Sequence, residues 1–296
     1  MDAGGARARV RALLADAGVP DAGFEADQII CRETGTSRAS LHAHPEATVS
    51  CEALSRARDL AARRARGEPL AYVLGSALFC GREFSVTDTL IPRPETEILT
   101  SIAGDLLKTR GPRDRLFADW CAGSGCIAVT LLLENPGWSC IAVDSSADAL
   151  ITAAQNAARH GVAGRMTQML CRSPEESGVA PESLSLVVSN PPYIPTRDIT
   201  FLESQVRDFE PIEALDGGPD GLNVYRTLLR GIPRLMAPGA RLLLETGGGD
   251  QVDNVVWLGH ELWGGPDGPG RLEFIGKFSD HRGIGRFILL QKPYGN

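Results

Sequence analysis

The 296-residue chain predicts an α/β protein: a doubly wound sheet of seven strands, its last pair antiparallel, preceded by a small amino-terminal helical domain and a linking β-hairpin. Three observations carry this expectation. Apolar residues recur at helical spacing from about residue 5 to 75, and strands alternate with helices from about residue 93 onward. The final two strands are joined by the short, glycine-bearing "SDHRGIGR" in place of a helix, which makes them antiparallel neighbours.

Taken in order, Val10, Leu13, Leu14 and Ala17, then Ala26, Ile29 and Ile30, then Leu54, Ala57, Leu60 and Ala61 each mark one apolar helix face within residues 1–75. The third of these helices carries Arg56, Arg58, Arg63, Arg64 and Arg66, which form either a solvated face or a docking surface for an acidic partner. "ALFCGREFSV" sets two short apolar runs around Gly81, the pattern of a hairpin, and residues 76–92 are assigned to a linker. Residues 93–296 form the sheet domain. Its strands are expected near 115–120, 139–144, 166–170, 184–190, 239–245, 271–278 and 285–292, with helices between them.

Composition narrows the function classes. With 43% hydrophobic residues the chain can bury a sizeable core. No run approaches eighteen apolar residues and the first residues hold no apolar segment ahead of a cleavage site, so no membrane partner is expected and the expected compartment is the cytoplasm. Seven cysteines without a C-x-x-C pair are read as reduced thiols, mostly in the core. Their spacing matches no zinc pattern, His42 and His44 fall in a polar loop, and no metal is expected. A net charge of −7 argues against nucleic acid as the main partner, because phosphate binding needs a basic field.

"FADWCAGSGCIAV" reads as a strand, a tight turn containing Gly123 and Gly125, and a helix from Ile127. Small residues there let backbone amides approach a ligand at the positive end of the helix. The next strand, "SCIAVD", ends at Asp144, a carboxylate placed to hold the paired hydroxyls of a ribose. Together these favour a nucleoside-bearing cofactor. "GSGCIA" also satisfies the G-x-G-x-x-A dinucleotide form, so a nicotinamide dehydrogenase stands as a rival, as does a packing turn that binds nothing.

"VVSNPPYIP" is a buried strand that stops at Asn190, Pro191, Pro192 and Tyr193. Pro-Pro is ordinary strand punctuation, yet the prolines also hold their neighbours extended and leave a stiff cluster of acceptors at a strand's carboxyl end. The Asn190 side-chain oxygen and the Pro191 carbonyl can each accept one hydrogen of a planar –NH2 group, aiming its lone pair outward. Tyr193 can stack against that group and favour a nearby sulfonium. Methyl transfer to a planar amino nitrogen is the chemistry these groups suit, and positioning alone supplies several of the ~7–11 kcal/mol available to ideal alignment.

Several blocks in one succession, "GEPLAYVLGSALFCGREFSV", "LIPRPETE", "NPPYIP", "FEPIEALDGGPDGL" and "LLLETG", resemble the HemK/PrmC family of S-adenosylmethionine-dependent methyltransferases, which modify the Gly-Gly-Gln glutamine of peptide-chain release factors. The resemblance covers nearly the whole chain. It implies a Rossmann-like class I methyltransferase sheet, S-adenosyl-L-methionine as donor with S-adenosyl-L-homocysteine as product, and a release factor as protein substrate. By the same resemblance Asp119, Cys121, Ala122, Gly123, Ser124 and Gly125 line the methionine end of the cofactor, Asp144 and Ser145 hold the ribose, and Arg172 and Asn190 border it. Asn190, Pro191, Pro192 and Tyr193 hold the substrate amide. Arg93 and Glu97, four apart, are expected to pair and fix a loop over the site, with Glu210 and Glu245 as supports.

Two positions depart from the family's usual pattern. Cys121 replaces a glycine, which is accommodated if its φ is negative. Arg172 stands where an acidic residue usually meets the adenine amino group, and a guanidinium cannot accept that hydrogen bond, so Ser173 or a backbone carbonyl serves or cofactor affinity falls. These departures leave open a specialised relative acting on another protein or on a small amide or guanidino metabolite, and a non-catalytic binding protein.

Overall fold

The structure, a computed structural model, describes residues 1–109, 115–263 and 271–294. The chain folds as two compact units, Met1–Ala77 with Glu203–Phe209, and Leu78–Leu202 with Glu210–Asn296. The inclusion of residues 203–209 in the first unit is invisible to a reading along the chain.

The first unit is helical: α1 (Ala3–Asp16), α2 (Ala22–Thr34), α3 (Arg38–Ala43), α4 (Cys51–Ala65) and α5 (Leu70–Leu74). Val10 and Leu14 of α1, Ile29 and Ile30 of α2, and Ala57 and Ala61 of α4 meet in its core. The sequence predicted α1, α2 and α4; α3 and α5, of 6 and 5 residues, are too short to show a helical period. Ser37, whose hydroxyl accepts from Ser40 N–H, is the cap that marks α3. His42 therefore lies in a helix, not in the expected polar loop, and shares a 2.7 Å hydrogen bond with the buried Asp27 carboxylate, which also pairs with Arg7 and Arg38. The arginines expected to present a common face are mostly engaged within this unit. Arg56 pairs with Glu33, Arg63 with Glu68, and Arg64 is buried against Glu25 through two N–H donors. The reason is register, because Ala53, Ala57, Ala61 and Arg64 follow one another at helical spacing on the inward stripe of α4.

The boundary between the units falls within a hairpin of β1 (Ser76–Phe79) and β2 (Arg82–Ser85). Cys80 and Gly81, at φ 47° and 71°, give it the left-handed pair that suits a two-residue turn. The second unit then runs α6 (Pro94–Lys108), β3 (Leu116–Trp120), α7 (Cys126–Glu134), β4 (Ser139–Asp144), α8 (Ala147–Arg159), β5 (Met166–Leu170) and β6 (Leu184–Ser189). After α9 (Ser204–Arg207), which belongs to the first unit, come α10 (Asn223–Leu235), β7 (Met236–Glu245), α11 (Asp250–Leu262), β8 (Glu273–Ser279) and β9 (Gly285–Gln291).

The sheet order is β5-β4-β3-β6-β7-β9-β8, parallel except for β9, which is antiparallel to both β7 and β8. β6 lies inside the sheet and every one of its residues is buried, which is why it reads as a continuous apolar run. Leu99, Leu107, Leu131 and Ala153 from α6, α7 and α8 pack on one face; Leu228, Ile232, Val252 and Val255 from α10 and α11 pack on the other. β7 begins three residues earlier than expected. Pro238 and Gly239, at φ 74°, lie within its irregular first part, where the pairing with β6 shifts register.

Candidate active site

Register builds the site. Trp120 pairs with Val143 on one side and with Ser189 on the other, and Ser189 pairs with Leu244. The next residues of β3, β4, β6 and β7 are Cys121, Asp144, Asn190 and Glu245, so one row at the carboxyl edge of the sheet carries a thiol, two carboxylates and an amide. The strand order reverses between β3 and β6, which opens the crevice where doubly wound sheets bind ligands. A cavity lies there, its wall including Trp120, Cys121, Gly123, Asp144, Asn190 and Pro192.

The turn after β3 is left-handed at Cys121, Gly123 and Gly125, with φ of 62°, 53° and 74°. The negative φ under which a cysteine would fit here without strain is thus not the one adopted. To pass from β3 into α7 the chain directs Ala122 N–H onto Val143 O (3.0 Å), and the left-handed Cys121 precedes that bond. A left-handed non-glycine residue costs about 1–3 kcal/mol, and the Cys121 thiol shares a hydrogen bond with the Ser189 side chain. The glycines have separate uses. A Cβ on Gly123 would meet nothing within 4 Å, whereas one on Gly125 would sit 2.9 Å from Ala153 Cβ of α8. Gly123 therefore leaves open space, and Gly125 lets the turn pack on a helix.

Asp144 accepts from Gly123 N–H at 2.8 Å and from Ser146 N–H at 2.9 Å, one bond to each oxygen. Burial raises its pKa, against the lowering effect of those backbone donors. Each oxygen keeps a further lone pair for a ligand hydroxyl. Ser145 and Arg172 also line the cavity, while Ser173 does not; the Ser173 carbonyl accepts from the Cys171 thiol at 2.7 Å. Beside Asp144, the wall carries the carboxylates of Asp88, Glu213 and Asp216. Asp119, Ala122, Ser124 and Gly125 are absent from it. Asp119 is wholly buried, accepts from Ala128 N–H at 3.0 Å and is pushed up to about 8 by that burial, so it braces the start of α7 from behind the turn.

On the other side of the cavity, Asn190 Nδ2 donates to Thr96 Oγ1 at 3.1 Å. Tyr193 O accepts from Gln251 Nε2 at 2.8 Å, and burial pushes the Tyr193 phenol up to about 12. Ile194 N–H donates to Leu215 O, and Gly217 N–H to Ile194 O, which ties the segment after the prolines to the 215–217 loop. A Cβ on Gly217 would lie 2.9 Å from Pro192 O and one on Gly221 2.4 Å from Tyr193 O, so the glycines of "DGGPDGL" let those carbonyls approach. Pro191 and Tyr193 are not on the cavity wall that Asn190 and Pro192 share with Asp144.

The expected Arg93–Glu97 pair does not form. Arg93 is the N-cap of α6 in an extended conformation, φ −97° and ψ 147°, so the two residues are not stacked on one helix face. Arg93 instead pairs with Glu210, which also accepts from Ile91 N–H, and Glu97 accepts from Cys80 N–H at 2.7 Å. Glu245 is 1% exposed, and its Oε2 is buried without a hydrogen-bond partner. Burial pushes it up to about 7.

Residues 5–75 match the family described as PrmC N-terminal domain, and residues 100–204 match the one described as Methyltransferase small domain. The release factor glutamine methyltransferase of Geobacter sulfurreducens is 38% identical over 249 residues, covering 84% of each chain. That of Nitratidesulfovibrio vulgaris is 41% identical over 295 residues, 96% of this chain and 92% of its own. The chain belongs to the release factor glutamine methyltransferase family. Membership in a methyltransferase family implies S-adenosylmethionine as the methyl donor. The hMettl16 catalytic domain, solved in complex with MAT2A 3'UTR hairpin 6, has a TM-score of 0.53 at 13% identity over 83% of this chain and 84% of its own, a likeness of fold.

For this family member, sequence reasoning missed Thr96, Asn156, Gln251 and the wall residues Asp88, Glu213 and Asp216. Thr96 lies inside the quoted "LIPRPETE" but looks like an ordinary first-turn residue. Asn156 is buried in α8, where it accepts from Ser85 N–H and donates to Ser85 O and Ser124 O. An asparagine within an apolar helix face was the available signal, because a buried amide needs partners from elsewhere.

Proposed function

We propose that the chain transfers a methyl group from S-adenosylmethionine to the side-chain amide nitrogen of the Gly-Gly-Gln glutamine of a peptide-chain release factor. The observation that carries this reading is that Asn190 and Asp144 border one cavity, each at the end of its strand. Asp144 suits the two ribose hydroxyls. The open space over Gly123 suits a ligand approaching the backbone, and the carboxylates on the wall suit a cationic donor. Bound there, the donor supplies an electrophilic methyl group.

The remaining work falls to the chain. Asn190 Oδ1 and the Pro191 carbonyl accept the two N–H groups of the glutamine amide and turn its nitrogen lone pair toward the cavity. The two prolines hold these acceptors rigid, so little ordering is left to the moment of reaction. Tyr193, its carbonyl held by Gln251, covers the planar amide. The helical unit docks the protein substrate. A substrate that works in translation places the reaction in the cytoplasm. Among the described residues no helix is long and apolar enough to cross a membrane.

The test is a separation of binding from turnover. Asn190→Ala should lower the rate of methyl transfer to a purified release factor by about a hundredfold, while S-adenosylhomocysteine affinity stays within a few-fold of wild type. Near-normal transfer by Asn190→Ala would reject the amide clamp. Binding of NAD in place of S-adenosylmethionine would reject the reaction class.

A further inference from the structure

We propose that Glu210 is a positioning residue that closes the cavity at the sheet edge: it ties together two loops of the cavity wall, residues 86–93 and 211–217, and so sets how long the donor or its product stays bound. The proposal rests on S-adenosylmethionine as the occupant of that cavity.

Sheet register holds the groups at the strand ends, but much of the wall lies on loops. Asp88, Thr89 and Leu90 come from the connection between β2 and α6, whereas Pro211, Glu213 and Asp216 come from the segment ahead of α10. Backbone that no ladder fixes opens readily unless side chains hold it. The start of the first loop is held by α8, where Asn156 bonds both the N–H and the carbonyl of Ser85 and the Thr152 hydroxyl donates to Thr87 O at 3.2 Å. Its far end is held by Glu210. Oε2 accepts from Ile91 N–H at 3.1 Å, and Oε1 accepts from the Arg93 guanidinium. Asp88 stands between these anchors at a left-handed φ of 50°, which a non-glycine residue keeps where its surroundings over-determine it. The second loop is pinned by Asp216, whose Oδ1 accepts from the Thr196 hydroxyl at 2.7 Å and from Gly218 N–H at 2.8 Å. Glu210, next to Pro211, joins the second loop to the first.

The three residues that meet are each followed by a proline: Ile91 by Pro92, Arg93 by Pro94 and Glu210 by Pro211. A proline disfavours the helical region for the residue before it, so all three are biased to extended backbone before they meet and little ordering is left to forming the tie. Glu210 is 4% exposed. Stripping a buried carboxylate of its donors leaves it desolvated and unpaired, which favours the joined arrangement over a half-open one. The loops also bring like charges to one cavity, Asp88 from the first and Glu213 and Asp216 from the second. These repel one another, the tie opposes that repulsion, and a cationic donor between them relieves it.

The test measures S-adenosylhomocysteine dissociation by stopped flow and backbone hydrogen exchange, both on the full chain. Glu210→Gln should raise the dissociation rate by about tenfold or more, as expected for losing a hydrogen bond to a charged group, and should change the association rate little. In the ligand-free variant the amides of residues 87–91 and 212–217 should exchange faster together, while those of β6 keep their wild-type protection. Arg93→Gln alters a partly exposed side chain and leaves Ile91 bonded to Glu210, so it should show the same changes more weakly. It decides the matter if Glu210→Gln loosens β6 as well. Wild-type dissociation in both variants, or faster exchange confined to one loop, overturns the proposal. The two readings fail separately: faster exchange of both loops in a protein that binds no S-adenosylhomocysteine would reject the occupant and keep the tie, whereas S-adenosylhomocysteine released at the wild-type rate by both variants would do the reverse.

Discussion

Cys121 holds a backbone conformation that glycine adopts freely, and it does so on the wall of the cavity at the sheet edge. A cysteine there stores strain of about 1–3 kcal/mol, offset in part by its bond to Ser189 and its packing. Cys121→Gly should therefore raise the thermal midpoint or leave it unchanged, and should keep S-adenosylhomocysteine affinity. Cys121→Val should lower both, because a β-branched side chain tolerates a positive φ poorly. Scanning calorimetry with and without the ligand checks this. A Cys121→Gly protein clearly less stable than wild type would show that the thiol's contacts outweigh the strain. The strain was not legible beforehand, since nothing in "DWCAGSG" states the φ of its third residue.

At the scale of elements, most strands of the sheet were readable because they are apolar runs bounded by turn residues, and the short glycine loop between β8 and β9 gave away their antiparallel pairing. The short helices α3 and α5 were not readable. Pairing by spacing also failed where an element's limit was misplaced. Arg93 and Glu97 look like helical neighbours only if the helix has already begun at Arg93, and it begins at Pro94, whose ring suits a first helical position. In α4 the five arginines look alike in sequence, but the helix sorts them by face. Arg64→Ala leaves Glu25 buried without its partner and should cost about 3–5 kcal/mol, seen as an early loss of helical circular dichroism on heating. Arg58 and Arg66 are exposed. The double variant Arg58→Glu, Arg66→Glu should leave the thermal midpoint nearly unchanged and raise KM for a release factor. An unchanged KM would remove these two arginines from the docking surface, and a stable Arg64→Ala protein would contradict the assigned ion pair.

For the whole molecule, the decisive fact is that residues far apart in sequence reach one sheet edge in register. The Gly123 turn, Asp144 and Asn190 were legible because each stands at the end of an apolar run, and strand ends are where a doubly wound sheet binds. Glu245 was legible as a neighbour, but the bond from Asn190 to Thr96 required three dimensions, as did the glycines that let the Pro192 and Tyr193 carbonyls approach. The atom that receives the methyl group decides whether Asn190 works as an amide clamp. The most direct measurement incubates the protein with methyl-labelled S-adenosylmethionine and a purified release factor, then maps the label by fragmentation mass spectrometry. A single methyl group is expected on the side-chain nitrogen of the Gly-Gly-Gln glutamine, absent with Asn190→Ala. Label on any other residue, or label on that glutamine undiminished in Asn190→Ala, would contradict it.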